Sequence, residues 1–214
     1  MATPRERRLA SEFQSVLSIR QPGGLINFVC APLSDEEGEA FATNKIDLDL
    51  LKRWKDRFVS SEEFQQAYPQ QAPEKYLIDF GCVGLQKKDD GEIYKNDEHT
   101  LMVVYGWDYP PEPPTLFWLT PIWHPNIDPP HLCIKGRPFS VSTTLDRICL
   151  TLGEMVQYQN YNLSDPLDRE AAKWVEDNKK YLPVDRRDLI TGKRKNIPLV
   201  VLEDEKDKEI EFIS

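Results

Sequence analysis

The stretch "YPPEPPTLFWLTPIWHPNIDPPHLC", Tyr109 to Cys133, decides how this chain is read. Its opening prolines lack a backbone donor, so "YPPEPP" cannot sit in a central strand and is expected as a stiff extended link. "TLFWLT" then has the composition of a strand. Beyond it the periodicity stops. The seventeen residues from Thr120 to Gly136 hold two of the chain's three histidines, one of its four cysteines and four of its seventeen prolines. That concentration suits a metal site, a nucleophile loop or a rigid connection, and residue chemistry has to separate them.

His124, His131 and Cys133 are ligand types that zinc prefers, but the spacing H-x6-H-x-C offers no fourth ligand, so no metal is expected. The H-x-E and P-C-x-x-C pair of a zinc deaminase is absent from the sequence. Cys30 and Cys82 fall in runs with strand character and Cys149 on an apolar helix face, where thiols act as small hydrophobes. His99, also in a strand, reads as structural. Cys133 differs, because it lies between prolines and "IKG", where a sulfur can meet a partner. Composition alone leaves it between a functional thiol and a buried one.

Working outward, "YLIDFGCVGL" and "HTLMVVYGW" flank the polar turn "KKDDGEIYKNDE" and predict an antiparallel hairpin. Upstream, Thr3, Pro4 and Glu6 form a capping box with proline at the first helical position, and Leu9, Phe13, Val16 and Leu17 continue at helical spacing. "LINFVCAPL" follows as a strand. Residues 34–75 read as a helical insertion, with Leu50, Leu51, Trp54 and Phe58 on one face and a shorter helix capped by Ser60 or Ser61. Downstream, Leu145, Ile148, Cys149, Leu152, Met155 and Val156 trace the apolar face of a helix packed on the sheet. "DPLDREAAK" is expected to start another helix at Asp165 with Pro166 in its first turn. The end, residues 193–214, reads as a charged β-hairpin tail on a single domain of residues 1–192.

The 214 residues, 40% of them hydrophobic, are enough for one sizeable core. A net charge of −9 repels a phosphate backbone and argues against nucleic acid as the main partner. No apolar run suggests a signal peptide or a membrane span, and the chain is expected in the cytoplasm. The scattered cysteines signal no disulfide framework.

Read in order, "YPPEPP", a strand, "HPN" at 124–126, "LC" at 132–133, an apolar helix and "DPLDREAAK" resemble the ubiquitin-conjugating enzymes. The likeness covers roughly residues 1–33 and 76–182 and implies an α+β, UBC-like fold: an N-terminal helix, an antiparallel meander and C-terminal helices, needing no cofactor. It implies that Cys133 carries a ubiquitin-like protein, or a conjugated target protein, as a thioester, and leaves open whether an activating enzyme loads it. Asn126 would bind the oxyanion or hold the loop, and His124 and Pro125 would shape it. Asp165 would orient and deprotonate an attacking amine, cap a helix, or do both.

The sequence also departs from that family. Cys133 lies one residue nearer to Asn126 than is usual, Lys135 stands where many members have aspartate, and "RPFSVS" replaces a Trp-Ser-Pro-Ala ligase loop. Such divergence is similar to that of bacterial ubiquitin-conjugating-like proteins of antiphage operons, some of which act on a cyclic-nucleotide synthase. Two rival functions stand beside the carrier. One is an inactive variant serving as a binding module, which would normally lack the cysteine. The other is a cysteine hydrolase pairing Cys133 with His131, for which no orienting third residue is evident.

Overall fold

A computed structural model describes residues 2–33, 48–134 and 142–194; for residues 48–51 it describes the backbone alone. The expected C-terminal hairpin and the first part of the expected insertion lie outside these residues. The chain opens with α1 (Pro4–Ile19), whose N-cap is Thr3: its side chain accepts from the Glu6 amide while the Glu6 carboxylate accepts from the Thr3 amide. Leu9, Phe13 and Val16 are buried at helical spacing as the sequence predicts, with Ile19 rather than the half-buried Leu17 completing the stripe.

Strand β1 (Ile26–Cys30) is followed by α2 (Leu48–Arg57) and α3 (Ser61–Ala67), the latter capped by Ser60 in a second capping box. The expected hairpin forms but divides in two. Strand β2 (Lys75–Phe80) pairs with β5 (His99–Val104), whereas β3 (Gly84–Lys87) and β4 (Ile93–Asn96) form a separate two-stranded extension. The break falls at 81–83, so Cys82 lies in a bend rather than in a strand, although it is fully buried. Strand β6 (Thr115–Trp118) completes an antiparallel sheet in the order β1-β2-β5-β6.

Alternation along β2 assigns the sheet's two faces. Tyr76, Ile78 and Phe80 face the main core with Leu101, Val103 and Trp118, under α1 and α4 (Leu145–Val156). Each such buried side chain contributes roughly 1.5–3 kcal/mol. Leu77 and Met102 point the other way and, with Leu119, pack under Trp54 of α2. The inserted helix thus covers the sheet's second face. No helix among the described residues is long and apolar enough to cross a membrane.

Two expectations need correcting. "YPPEPP" is a turn, not an extended link, because the Tyr109 ring folds against Tyr105 at 4.5 Å and its hydroxyl donates to Glu12 at 2.8 Å. The last long helix, α5 (Arg169–Asp177), begins after Asp168 rather than at Asp165. The Asp168 carboxylate caps it by accepting from the amides of Glu170 and Ala171. The amides of Leu167 and Asp168 are drawn instead to the Pro125 carbonyl, at 2.7 and 3.1 Å, which keeps residues 165–168 out of the helix.

Candidate active site

After β6 the chain turns through Trp123 and His124 into a small hairpin, β7 (Ile127–Asp128) with β8 (His131–Leu132), which the sequence did not reveal. Pro129 and Pro130 make its turn, and the Pro130 carbonyl accepts from the Trp118 amide at 3.0 Å, tying the hairpin to the edge of the main sheet. A strand pair of two residues each has little stability alone, so the fixed proline dihedrals and this tether hold it.

Asn126 is the hub of the region. Its carbonyl accepts from the Cys133 amide at 2.9 Å, which places the cysteine immediately after β8. Its side chain closes a two-point clamp on one residue of a distant loop: Oδ1 accepts from the Asn162 amide at 2.7 Å, and Nδ2 donates to the Asn162 carbonyl at 2.9 Å. Only 1% of Asn126 is exposed. A buried amide must have its polar atoms matched, and here they are matched by backbone.

His124 braces this hub from beneath. Its Nδ1 accepts from the Asn126 amide at 3.0 Å, so the neutral ring carries its proton on Nε2. Burial pushes the imidazole pKa down to about 3, against an opposing pull from the Met155 backbone. The Tyr158 ring packs edge-on against it at 4.8 Å, and the Tyr158 hydroxyl donates to the Trp123 carbonyl. Tyr158 holds φ at 58°, in the left-handed region that a non-glycine residue rarely adopts. Burial, the bond at Nδ1 and the Tyr158 ring make His124 a structural strut rather than a titrating group near neutral pH, although its buried Nε2 finds no hydrogen-bond partner among the described residues.

Asp165 is exposed on the segment between the two attachments to this hub, Asn162 at one end and Leu167 with Asp168 at the other. Asn126 thus links Cys133 and His124 by direct hydrogen bonds, and the loop that carries Asp165, more than thirty residues further on, is pinned to the same hub on both sides. Asn162 and Tyr158 were missed. Neither has a local signal, since "QYQNYNLSDPL" carries no periodic pattern and the partners lie tens of residues away.

The cysteines separate sharply. Cys30, Cys82 and Cys149 are buried, whereas Cys133 is half-buried. Burial raises the Cys30 and Cys82 thiols to about 12 and pushes Cys149 up as well. Such thiols are protonated and inert at neutral pH. Among the described residues, no three His, Cys, Asp or Glu side chains converge as metal ligands.

Residues 82–184 match the family model described as ubiquitin-conjugating enzyme. The NEDD8-conjugating enzyme UBC12 of Eremothecium gossypii is 32% identical over 108 residues, covering 47% of this chain and 58% of that protein. The NEDD8-conjugating enzyme Ubc12 of Dictyostelium discoideum is 32% identical over 101 residues, covering 47% and 44%. The ubiquitin-conjugating enzyme E2-20 kDa of Schizosaccharomyces pombe is 27% identical over 112 residues, covering 49% and 57%. The chain thus spans about half the length of the curated relatives it matches.

Proposed function

We propose that this chain, whose residues 82–184 match the ubiquitin-conjugating enzyme model, carries a ubiquitin-like protein as a thioester on Cys133 and transfers it to an amine. The observation that supports this most directly is that Cys133 alone among the four cysteines escapes burial, at the point where the Asn126 carbonyl holds its amide.

In the loading step, the Cys133 thiolate attacks the carbonyl carbon of an incoming thioester. The new Sγ–C bond forms, the old S–C bond breaks, and the departing thiolate takes up the proton that Cys133 gave to solvent. In the discharge step an amine nitrogen attacks the same carbon. The C–N bond forms, Sγ leaves as thiolate, and the amine's proton passes to Asp165 and then to water. Asp165 suits this task because it is exposed on a segment pinned at both ends, while His124 is fully buried with its Nδ1 lone pair already taken by the Asn126 amide. The clamp on Asn162 favours the loop-holding role for Asn126 over oxyanion binding.

The donor class follows from the relatives, two of which are named for NEDD8 and one for ubiquitin. An activating enzyme supplies the donor as a thioester. The likeness to proteins of antiphage operons further suggests a cyclic-nucleotide synthase as acceptor, a cytoplasmic site of action, and residues 193–214 as a recruiting element.

The decisive experiment is intact-mass analysis of Cys133→Ser after co-expression with candidate donors. Serine oxygen in place of sulfur would trap the donor as an oxyester stable to reducing agent. A conjugate on the wild type that survives in Cys133→Ala, or none on either the wild type or Cys133→Ser, refutes the carrier reading.

A further inference from the structure

Tyr158 turns the chain out of α4, and no step of the reaction above uses it. The helix ends in the pattern that glycine normally completes: the Tyr158 amide donates to the Met155 carbonyl at 2.9 Å, and the Gln159 amide to the Glu154 carbonyl at 2.8 Å. At the turning position Tyr158 holds φ at 58°, where a Cβ crowds the backbone and glycine does not. A strained tyrosine in a glycine's place points to something that only its side chain supplies.

That side chain is only 1% exposed. Its ring joins Leu85 and Val175 in a small core beside the main one, a task that phenylalanine would serve as well. The hydroxyl does more, because it donates to the Trp123 carbonyl while the ring packs edge-on against His124. Each further link to the nucleophile is a direct contact: His124 Nδ1 accepts from the Asn126 amide, and the Asn126 carbonyl accepts from the Cys133 amide. Four residues along the chain from Tyr158, Asn162 offers its amide and carbonyl to the Asn126 side chain. Residues 158–162 and 123–126 are therefore joined at both ends, by Tyr158 at one and Asn162 at the other.

We propose that Tyr158 is a positioning residue for the Cys133 site: its hydroxyl and ring hold Trp123 and His124 while its left-handed backbone directs the chain to Asn162, so that Asn126 meets Asn162 and Cys133 together. The bearing on acyl transfer rests on the carrier reading, in which the same loop carries Asp165, but the positioning itself is read on the bare protein. Tyr158→Phe keeps the ring and its packing and leaves the Trp123 carbonyl without the hydroxyl. Tyr158→Gly removes the whole side chain while freeing the turn of its strain.

Backbone hydrogen exchange followed by NMR tests this at two reporters: the Asn162 amide, which donates to Asn126 Oδ1, and the Cys133 amide, which donates to the Asn126 carbonyl. The slowest amides of β2 and β5 give the reference for global unfolding. In Tyr158→Phe both reporters are expected to exchange at least about fivefold faster relative to that reference. In Tyr158→Gly the same acceleration or more is expected, although the turn itself is relieved. Val175→Ala, which thins the same small core without touching the hydroxyl, is expected to leave the ratio unchanged. If Tyr158→Gly fails to fold, Tyr158→Phe and Val175→Ala decide alone. Reporters that keep pace with the reference in either Tyr158 variant, a response at only one of them, or an equal selective response in Val175→Ala overturns the proposal and leaves Tyr158 as core packing. The Cys133→Ser mass experiment decides the carrier reading separately, so either idea can fail without the other.

Discussion

The side chain of Asn126 grips the backbone of Asn162 at both its amide and its carbonyl, across 36 residues of sequence. The same asparagine's carbonyl holds the amide of Cys133. One buried residue therefore ties the Cys133 backbone to the loop that carries Asp165. Under the proposed carrier reaction, this arrangement would let Asn126 act in both steps, and it bears on how its variants should behave.

Asn126→Ala should leave the Asn162 amide and carbonyl without their partner and cost about 1–3 kcal/mol, read as a lower urea midpoint. Loading and discharge should fall together, because both anchors loosen. A variant that loads normally but discharges slowly would point to a donor acting only on the transition state.

The two aspartates of the 162–168 segment should separate cleanly. Asp168→Ala removes the cap of α5 and should cost about 0.5–2 kcal/mol. Asp165→Ala should cost little stability, form the thioester normally and pass it slowly to lysine. Its deficit should shrink at high pH, where the amine is already neutral. Equal stability losses in the two variants, with equal discharge rates, would contradict this division.

Acid should destabilise the fold through two histidines. Burial lowers His99 to about 4 and His124 to about 3, both below the unfolded value near 6.5. The unfolded chain therefore binds more protons, and stability rises with pH. The contribution of each histidine is complete above the unfolded value and is lost as pH falls from there towards the folded values, by up to about 1.4 kcal/mol per pH unit. Urea midpoints between pH 7.5 and 5 check this. A flat profile across pH 6.5 to 5 would show that neither ring is buried neutral.

Thiol mapping should find one reactive cysteine. At neutral pH iodoacetamide should modify Cys133 in the native protein, with Cys30, Cys82 and Cys149 reacting only in denaturant, as peptide mass analysis would show. Native labelling of Cys149, which lies within the core on α4, would indicate that the helix opens readily.

Removing the inserted helix's anchor tests the second sheet face. Trp54→Ala should cost about 3–5 kcal/mol, since its ring packs over Leu77, Met102 and Leu119. A loss below about 1 kcal/mol would mean that α2 contributes little to covering that face.

The sequence by itself determined what neighbouring residues encode. Thr3 and Glu6 cap a helix because both lie within one turn, and Leu145 to Val156 form a helix because their apolar side chains recur at its period. It also singled out Cys133, whose surroundings are neither periodic nor uniformly apolar, unlike those of Cys30 and Cys149. Tertiary structure decided the rest. Whether Asp165 or Asp168 caps α5 depended on the Pro125 carbonyl, which takes the amides that would otherwise continue the helix inward. Whether Tyr109 lies in an extended link or a turn depended on the buried Glu12 awaiting its hydroxyl. The partner of Asn126 likewise had no signature, because an amide side chain can pair with any backbone of suitable geometry. Capping and periodicity act over a few residues and can be read from them, whereas a long-range hydrogen bond depends on which backbones the packed core brings together.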